Sequence, residues 1–228
     1  MDEIRLIDIR KNILSDNQDQ AEVIRGKLAA KKVFLLNVMA SPGAGKTSLI
    51  VQTIRRLKGR LRLGVIEGDI ESTVDSEKIV REGVPAVQIR TGGACHLDAP
   101  MVSAALAELE LGNLDLVFIE NIGNLICPAE FDTGADRKVM ILSVPEGDDK
   151  ILKYPLMFSI CEALVINKID YLEGSDFDLQ ALRRRAYELN PGMRLFEVSC
   201  KTGAGLDEWC AWLLGEVGRK WAGGAAAA

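Results

Sequence analysis

The segment Ala40–Ser48, ASPGAGKTS, decides the fold class. It follows the apolar run KVFLLNVMA and leads into KTSLIVQTIRRLK, so it joins a strand to a helix through a turn of small residues. Gly43, Ala44, Gly45, Lys46, Thr47 and Ser48 supply what a polyphosphate needs. Backbone N–H groups can close on it, a helix N-terminus adds partial positive charge, the lysine reaches the β- and γ-phosphates, and the threonine hydroxyl ligates Mg²⁺. The pattern G-x-x-x-x-G-K-[ST] asks for glycine at position 40, where this chain has Ala40. A small residue there still permits close approach.

Working outward, six more apolar, β-branched runs have strand length: RLGVIEG, AVQIR, LDLVFIE, VMILSV, ALVINK and LFEVS. Several are continuously apolar, as strands covered on both faces are. Helical stretches such as APMVSAALAELELG and DLQALRRRAYEL lie between them. A last helix opens at GLDEW and sets Leu206, Trp209, Cys210, Leu213 and Val217 on one face. Strands alternating with helices predict an α/β, three-layer P-loop NTPase fold with a mostly parallel sheet. The expected organisation is a helical extension over 1–31, including QAEVIRGKLAAKK, one nucleotide domain over 32–221, and a flexible tail over 222–228. In such a sheet ligands bind beyond the carboxyl ends of the strands.

Composition narrows the function classes. With 228 residues, 48% hydrophobic and 27% charged, the chain is that of an ordinary globular domain. A net charge of −5 provides no general basic field, so nucleic acid is not an expected partner, although one nucleotide needs only local positive charge. Charges interrupt MDEIRLIDIRKN too early for a signal peptide, and no apolar run has membrane-spanning length. A cytoplasmic protein with no membrane partner is expected. Five scattered cysteines are not a disulfide framework, and Cys161 and Cys210 read as core residues.

The base is read by LVINKID, which ends a strand with Asn167, Lys168 and Asp170. A carboxylate accepts hydrogen bonds from both N1–H and the 2-amino group of guanine, and adenine offers no such pair, so Asp170 predicts GTP and GDP over ATP. Ser199, Cys200 and Lys201 follow the last strand, where a further loop covers guanine in GTPases. Asp69, in VIEGDIEST, stands where a switch loop meets the γ-phosphate, Mg²⁺ or the attacking water. Glu120 closes LDLVFIE, the strand that presents an acid to the Mg²⁺ shell, and Gly123 is placed to offer an N–H to the γ-phosphate. Lys46, Asp69 and Glu120 are thus the candidate catalytic groups, with Thr47, Asp69 and Glu120 around Mg²⁺. For Asp69, and more so for Glu67, Glu71 and Asp75, a solvated loop charge is the alternative reading. No glutamine is placed to orient water, so slow hydrolysis is expected.

TGGACHLDAP holds the only histidine of the chain, His96, directly after Cys95. His96 reads either as the start of the following helix or as part of a metal site. Cys127, in ENIGNLICPAE, leaves the same edge of a parallel sheet, so Cys95, His96 and Cys127 can converge. Two thiolates and an imidazole suit Zn²⁺ or Ni²⁺ rather than Mg²⁺. Three ligands leave either an open position or a place for a second subunit. A small-molecule kinase and a regulatory GTPase without metal remain as alternatives on the residues alone.

Taken together, ASPGAGKT, VIEGDI, TGGACHLDA, ENIGNLICP and NKID resemble the HypB family of hydrogenase nickel-incorporation GTPases, from about Lys32 to Gly205. The resemblance implies a GTPase that forms a homodimer around nucleotide and delivers Ni²⁺ during maturation of [NiFe]-hydrogenase. It also implies a zinc-binding HypA-type partner, the hydrogenase large subunit as recipient, and Cys95, His96 and Cys127 as a site for Ni²⁺ and Zn²⁺. The N-terminal cysteine motif and the His-rich stretch of some members have no counterpart in this sequence, nor has the Cys-Pro-His motif of the related urease accessory GTPase. The Cys/His site near the switch is therefore expected to be the only one.

Overall fold

The computed structural model describes residues 9–69 and 74–223. In chain order the elements are α1 (Ile9–Lys31), β1 (Phe34–Ala40), α2 (Lys46–Leu57), β2 (Leu63–Asp69), α3 (Val74–Arg81), β3 (Ala86–Arg90), α4 (Ala99–Ala107) and β4 (Leu116–Glu120). They continue with α5 (Cys127–Glu130), β5 (Arg137–Ser143), α6 (Lys150–Lys153), α7 (Pro155–Ser159), β6 (Ala163–Asn167), α8 (Leu179–Leu189), β7 (Arg194–Glu197) and α9 (Leu206–Gly223). All seven strands expected from the apolar runs form. They make one parallel sheet in the order β3-β2-β4-β1-β5-β6-β7.

Strand alternation explains the layers. Along β1, Phe34, Leu36, Val38 and Ala40 face a core shared with Leu49, Ile50 and Ile54 of α2 and with Trp209 and Leu213 of α9. Leu35 turns to the opposite face, among Ile24 and Leu28 of α1 and Val102 and Leu106 of α4. Met39, also on that face, packs with Met157 and Phe158 of α7 and Leu182 of α8. Each such buried side chain contributes about 1.5–3 kcal/mol, so covering both faces is what makes continuously apolar strands favourable. Cys161 and Cys210 are buried, and burial raises both thiols, that of Cys210 to about 11.

Several helices depart from the sequence reading, in which the short α5, α6 and α7 have no counterpart. α1 begins at Ile9, well before QAEVIRGKLAAKK, and its side chains reach into the domain. Ala21, Ile24 and Leu28 recur at helical spacing in the core, Asn17 accepts a hydrogen bond from Ala99 N–H at 2.8 Å, and it donates to the Asp132 carbonyl at 2.9 Å. Short α3, between β2 and β3, was not read as a helix at all.

α2 and α9 are joined by one buried polar contact. Trp209 Nε1–H donates to Thr53 Oγ at 2.9 Å, and that hydroxyl donates onward to the Leu49 carbonyl at 2.7 Å. Thr53→Val keeps the shape and leaves the indole N–H unsatisfied. It should lower unfolding free energy by about 1–3 kcal/mol in denaturant titrations. An unchanged value would mean that the contact contributes nothing net. Among the described residues, no helix is long and apolar enough to cross a membrane.

Candidate functional site

β1 is the centre of the sheet, with β4 on one side and β5 on the other, so the loop after it opens where the connections diverge. Gly43 and Gly45 adopt φ of +76° and +106°, a region closed to most side chains. A Cβ on Gly45 would also lie 2.4 Å from Asn167 Nδ2. Ala40, by contrast, is not among the positive-φ residues, so the departure from glycine there carries no backbone strain.

The loop is tied from three directions. Asn167 Nδ2 donates to the Ala44 carbonyl at 2.9 Å, and Lys168 Nζ to the Gly43 carbonyl at 2.8 Å. Glu146 accepts from the Ser41 hydroxyl while closing a capping box with Ser143 after β5. On the β4 side, Asn124 N–H donates to the Ala40 carbonyl at 3.0 Å. With these carbonyls turned outward, the loop's concave side is left to amide donors.

A cavity of about 680 Å³ opens beside the loop, lined in part by Thr47, Ser48, Lys168, Asp170, Cys200 and Lys201. Pockets of about 300–1,000 Å³ accommodate ligands of nucleotide size. Asp170 is exposed at its rim and accepts from the buried Ser199 hydroxyl at 2.5 Å, which aims the carboxylate. Asn167 Oδ1 accepts from Lys168 N–H at 2.8 Å and from Cys200 N–H at 3.3 Å, so one buried amide unites both base loops. The Cys200 thiol is half-buried against the core, and burial raises it to about 11, so it packs rather than reacts.

Thr47 Oγ lies 2.7 Å from Glu120 Oε1, and Glu120 is only 4% exposed. A hydroxyl and a carboxylate at a helix N-terminus are hard oxygen donors, the set that fits Mg²⁺. Glu67 is not the solvated loop charge of the alternative reading: it is 2% exposed in β2 and pairs in register with Glu120 on β4. It belongs to the strand rather than to the loop. Asp69 closes β2, while Glu71 and the side chains of Asp69 and Asp75 lie outside the described residues.

Beyond β3 and β4 the two cysteine loops meet. Cys95 Sγ is 2.8 Å from Cys127 Sγ and 3.7 Å from His96 Nδ1. The three donor atoms lie within 4.8 Å of one another, near the ~4–4.6 Å that two metal–ligand bonds can span. His96 does not begin the helix: Asp98 caps α4, accepting from Met101 N–H. The imidazole stacks instead on Phe131, centroids 3.8 Å apart and planes 24° from parallel. Burial holds its pKa below the usual histidine range against the pull of Asp98 and Glu130, which favours the neutral, ligating ring. The hydrogen bond to Cys127, and burial after it, push the Cys95 thiol up. A metal entering here must displace protons.

The family model described as CobW/HypB/UreG, nucleotide-binding domain, matches residues 34–197. The hydrogenase maturation factor HypB of Azotobacter vinelandii is 48% identical, over 92% of this chain and 69% of that one. The chain belongs to the HypB family. Two HypB crystal structures share its fold. That from Archaeoglobus fulgidus has a TM-score of 0.84 at 38% identity, covering 90% of this chain and all of that one. That from Helicobacter pylori, solved in complex with nickel, has a TM-score of 0.85 at 35% identity, covering 90% and 96%.

As a HypB-family chain, it brings its sequence-selected residues into two adjoining groups. Gly43–Ser48, Asn167, Lys168, Asp170 and Ser199–Lys201 surround the cavity and its loop; Cys95, His96 and Cys127 form the second group. Glu120 and Gly123 lie on the segment between the two. The sequence reading missed Phe131, Glu146 and Asn124, and did not anticipate the burial of Glu67. Only Glu146 had a readable signal, the capping pattern Ser143-x-x-Glu146.

Proposed function

We propose that this chain is a GTP-hydrolysing metallochaperone that binds Ni²⁺ or Zn²⁺ through Cys95, His96 and Cys127 and delivers nickel during [NiFe]-hydrogenase maturation. One observation carries the reading. Glu120, which contacts the phosphate-loop Thr47, and Cys127, which contacts Cys95, are seven residues apart on one segment. Soft ligands for a cargo metal and the hard-oxygen set for Mg²⁺ are therefore mechanically continuous.

The phosphate loop and Lys46 bind the triphosphate, and Asp170 selects guanine. Thr47, with Glu120 and Asp69 near it, would hold Mg²⁺, which would supply positive charge toward the phosphates. Gly123 senses the γ-phosphate, and its loss on hydrolysis repositions the segment that ends in Cys127. The altered spacing of Cys127 from Cys95 and His96 changes the affinity for cargo. Handover to a HypA-type partner and to the hydrogenase large subunit follows. Exposed Ile126, next to Cys127, and exposed Leu152 and Leu156 on α6 and α7 support homodimer contacts that add ligands to the three present here. Slow intrinsic hydrolysis and a cytoplasmic location belong to the same reading.

Equilibrium dialysis of Ni²⁺ and of Zn²⁺ tests it, with GDP and with a non-hydrolysable GTP analogue, both with Mg²⁺. Metal affinity should differ about 5–150-fold between nucleotides, and metal should shift nucleotide affinity by the same factor. Equal affinity in both states, or no metal bound, would leave a GTPase whose switch serves something else.

A further inference from the structure

We propose that Asn124 is the positioning residue that couples the phosphate loop to the Cys95–His96–Cys127 cluster. The inference rests on the reading of a nucleotide-linked metal site and names the residue through which the link runs.

Asn124 makes three directional contacts, each to a different part of the machinery. Its backbone N–H donates to the carbonyl of Ala40, the last residue of β1 before the phosphate loop, at 3.0 Å. Its side-chain Nδ2 donates to the carbonyl of Cys95 at 3.1 Å. Its Oδ1 accepts from the N–H of Ile126, the residue before Cys127, at 3.0 Å. One residue thus touches the nucleotide loop, the backbone of one thiol ligand and the backbone next to the other. The preceding Gly123 leans on the loop so closely that a Cβ there would lie 2.9 Å from Pro42 N. A movement of the loop is therefore passed to residues 123 and 124 by contact.

A second asparagine makes this arm stand out. Asn121 is fully buried; its Oδ1 accepts from Leu97 N–H at 3.1 Å and Ile122 N–H at 2.9 Å, and its Nδ2 donates to Asn37 Oδ1 in β1. It pins the far side of the Cys95–Leu97 loop to the centre of the sheet. Asn121 is the fixed end and half-exposed Asn124 the movable one, with His96 between the two attachment points. A shift of about 1 Å at residue 124 takes a 3.1 Å hydrogen bond beyond useful range. Cys95 is then free to change its distance from Cys127.

The chemistry requires an amide. One short side chain must donate to a carbonyl and accept from an N–H, which asparagine does and aspartate does not. Asn124→Asp keeps the acceptor for Ile126 and turns a carboxylate toward the Cys95 carbonyl, cutting one arm; Asn124→Ala cuts both.

The test measures Ni²⁺ affinity of the parent chain and both variants, with GDP and with a non-hydrolysable GTP analogue, alongside nucleotide affinity without Ni²⁺, thermal midpoint and the near-ultraviolet thiolate-to-nickel absorption. The parent's ratio of Ni²⁺ affinities between the two nucleotides should fall towards one in both variants. The absorption band should persist but cease to change with nucleotide, and nucleotide affinity without Ni²⁺ should be unaltered. A parental ratio in either folded variant overturns the inference, as does a weakening equal in both nucleotide states, which marks a merely structural role. A parent chain that shows no nucleotide dependence sinks the metallochaperone reading first and this inference with it.

Discussion

Asp170→Asn should abolish the preference for GTP. The carboxylate accepts from both N1–H and the 2-amino group, whereas an amide keeps one acceptor and sets N–H against N–H at the other position. Hydrogen bonds to a charged partner contribute about 1.5–3 kcal/mol each, so losing one of the two amounts to about 10–10²-fold in GTP affinity, and the opposed N–H groups weaken it further. Xanthosine triphosphate, which carries a carbonyl in place of the 2-amino group, should in turn bind the variant better than the parent. Ser199 donates equally well to either side chain, so the loop keeps its shape. Calorimetric titration with both nucleotides decides the matter. If GTP affinity is unchanged, the base is not read by Asp170.

The second large effect concerns the thiols. Cys127→Ala should weaken Ni²⁺ or Zn²⁺ binding by about 10²–10³-fold, an even share of the ~10–16 kcal/mol that four-ligand zinc sites supply. Nucleotide binding without metal should remain near parental, because Thr47, Glu120 and the loop tethers are untouched. Metal titrations with a chromophoric competitor give the first value and fluorescent nucleotide titrations the second. Parental metal affinity in the variant would remove Cys127 from the site.

How much of this was readable from the chain follows from which signals are local. The sheet was legible because strands covered on both faces are almost continuously apolar, and β1, β4 and β6 each carry a single polar residue, Asn37, Glu120 and Asn167. The segments ASPGAGKTS and NKID stood out because a ligand of fixed shape would fix their spacing, and the structure gathers both at one cavity. The tethers were not. Asn167 meets Ala44 across 123 positions and Asn124 meets Cys95 across 29, and no periodicity encodes such pairs. Glu67 escaped for a related reason: a carboxylate in a buried strand is tolerated only because of what stands on the neighbouring strands, and β4 lies far along the chain. The reach of α1 ahead of QAEVIRGKLAAKK was hidden because Asn17 is held there by Ala99 and Asp132, which lie far along the chain. His96 was ambiguous because the residues that place it, Asp98 capping α4 in its stead and Phe131 stacked on the ring, leave no local pattern around it.

The outward ties of the phosphate loop also bear on how the molecule comes apart. Ala40, Ser41, Gly43 and Ala44 are fastened to residues at or beyond the ends of β4, β5 and β6, so four neighbouring strands share one short loop as a clasp. A nucleotide seated there restrains not a surface turn but the middle of the sheet. Its stabilisation is then felt globally, as slower unfolding and as protease resistance spread over strands that never touch the ligand.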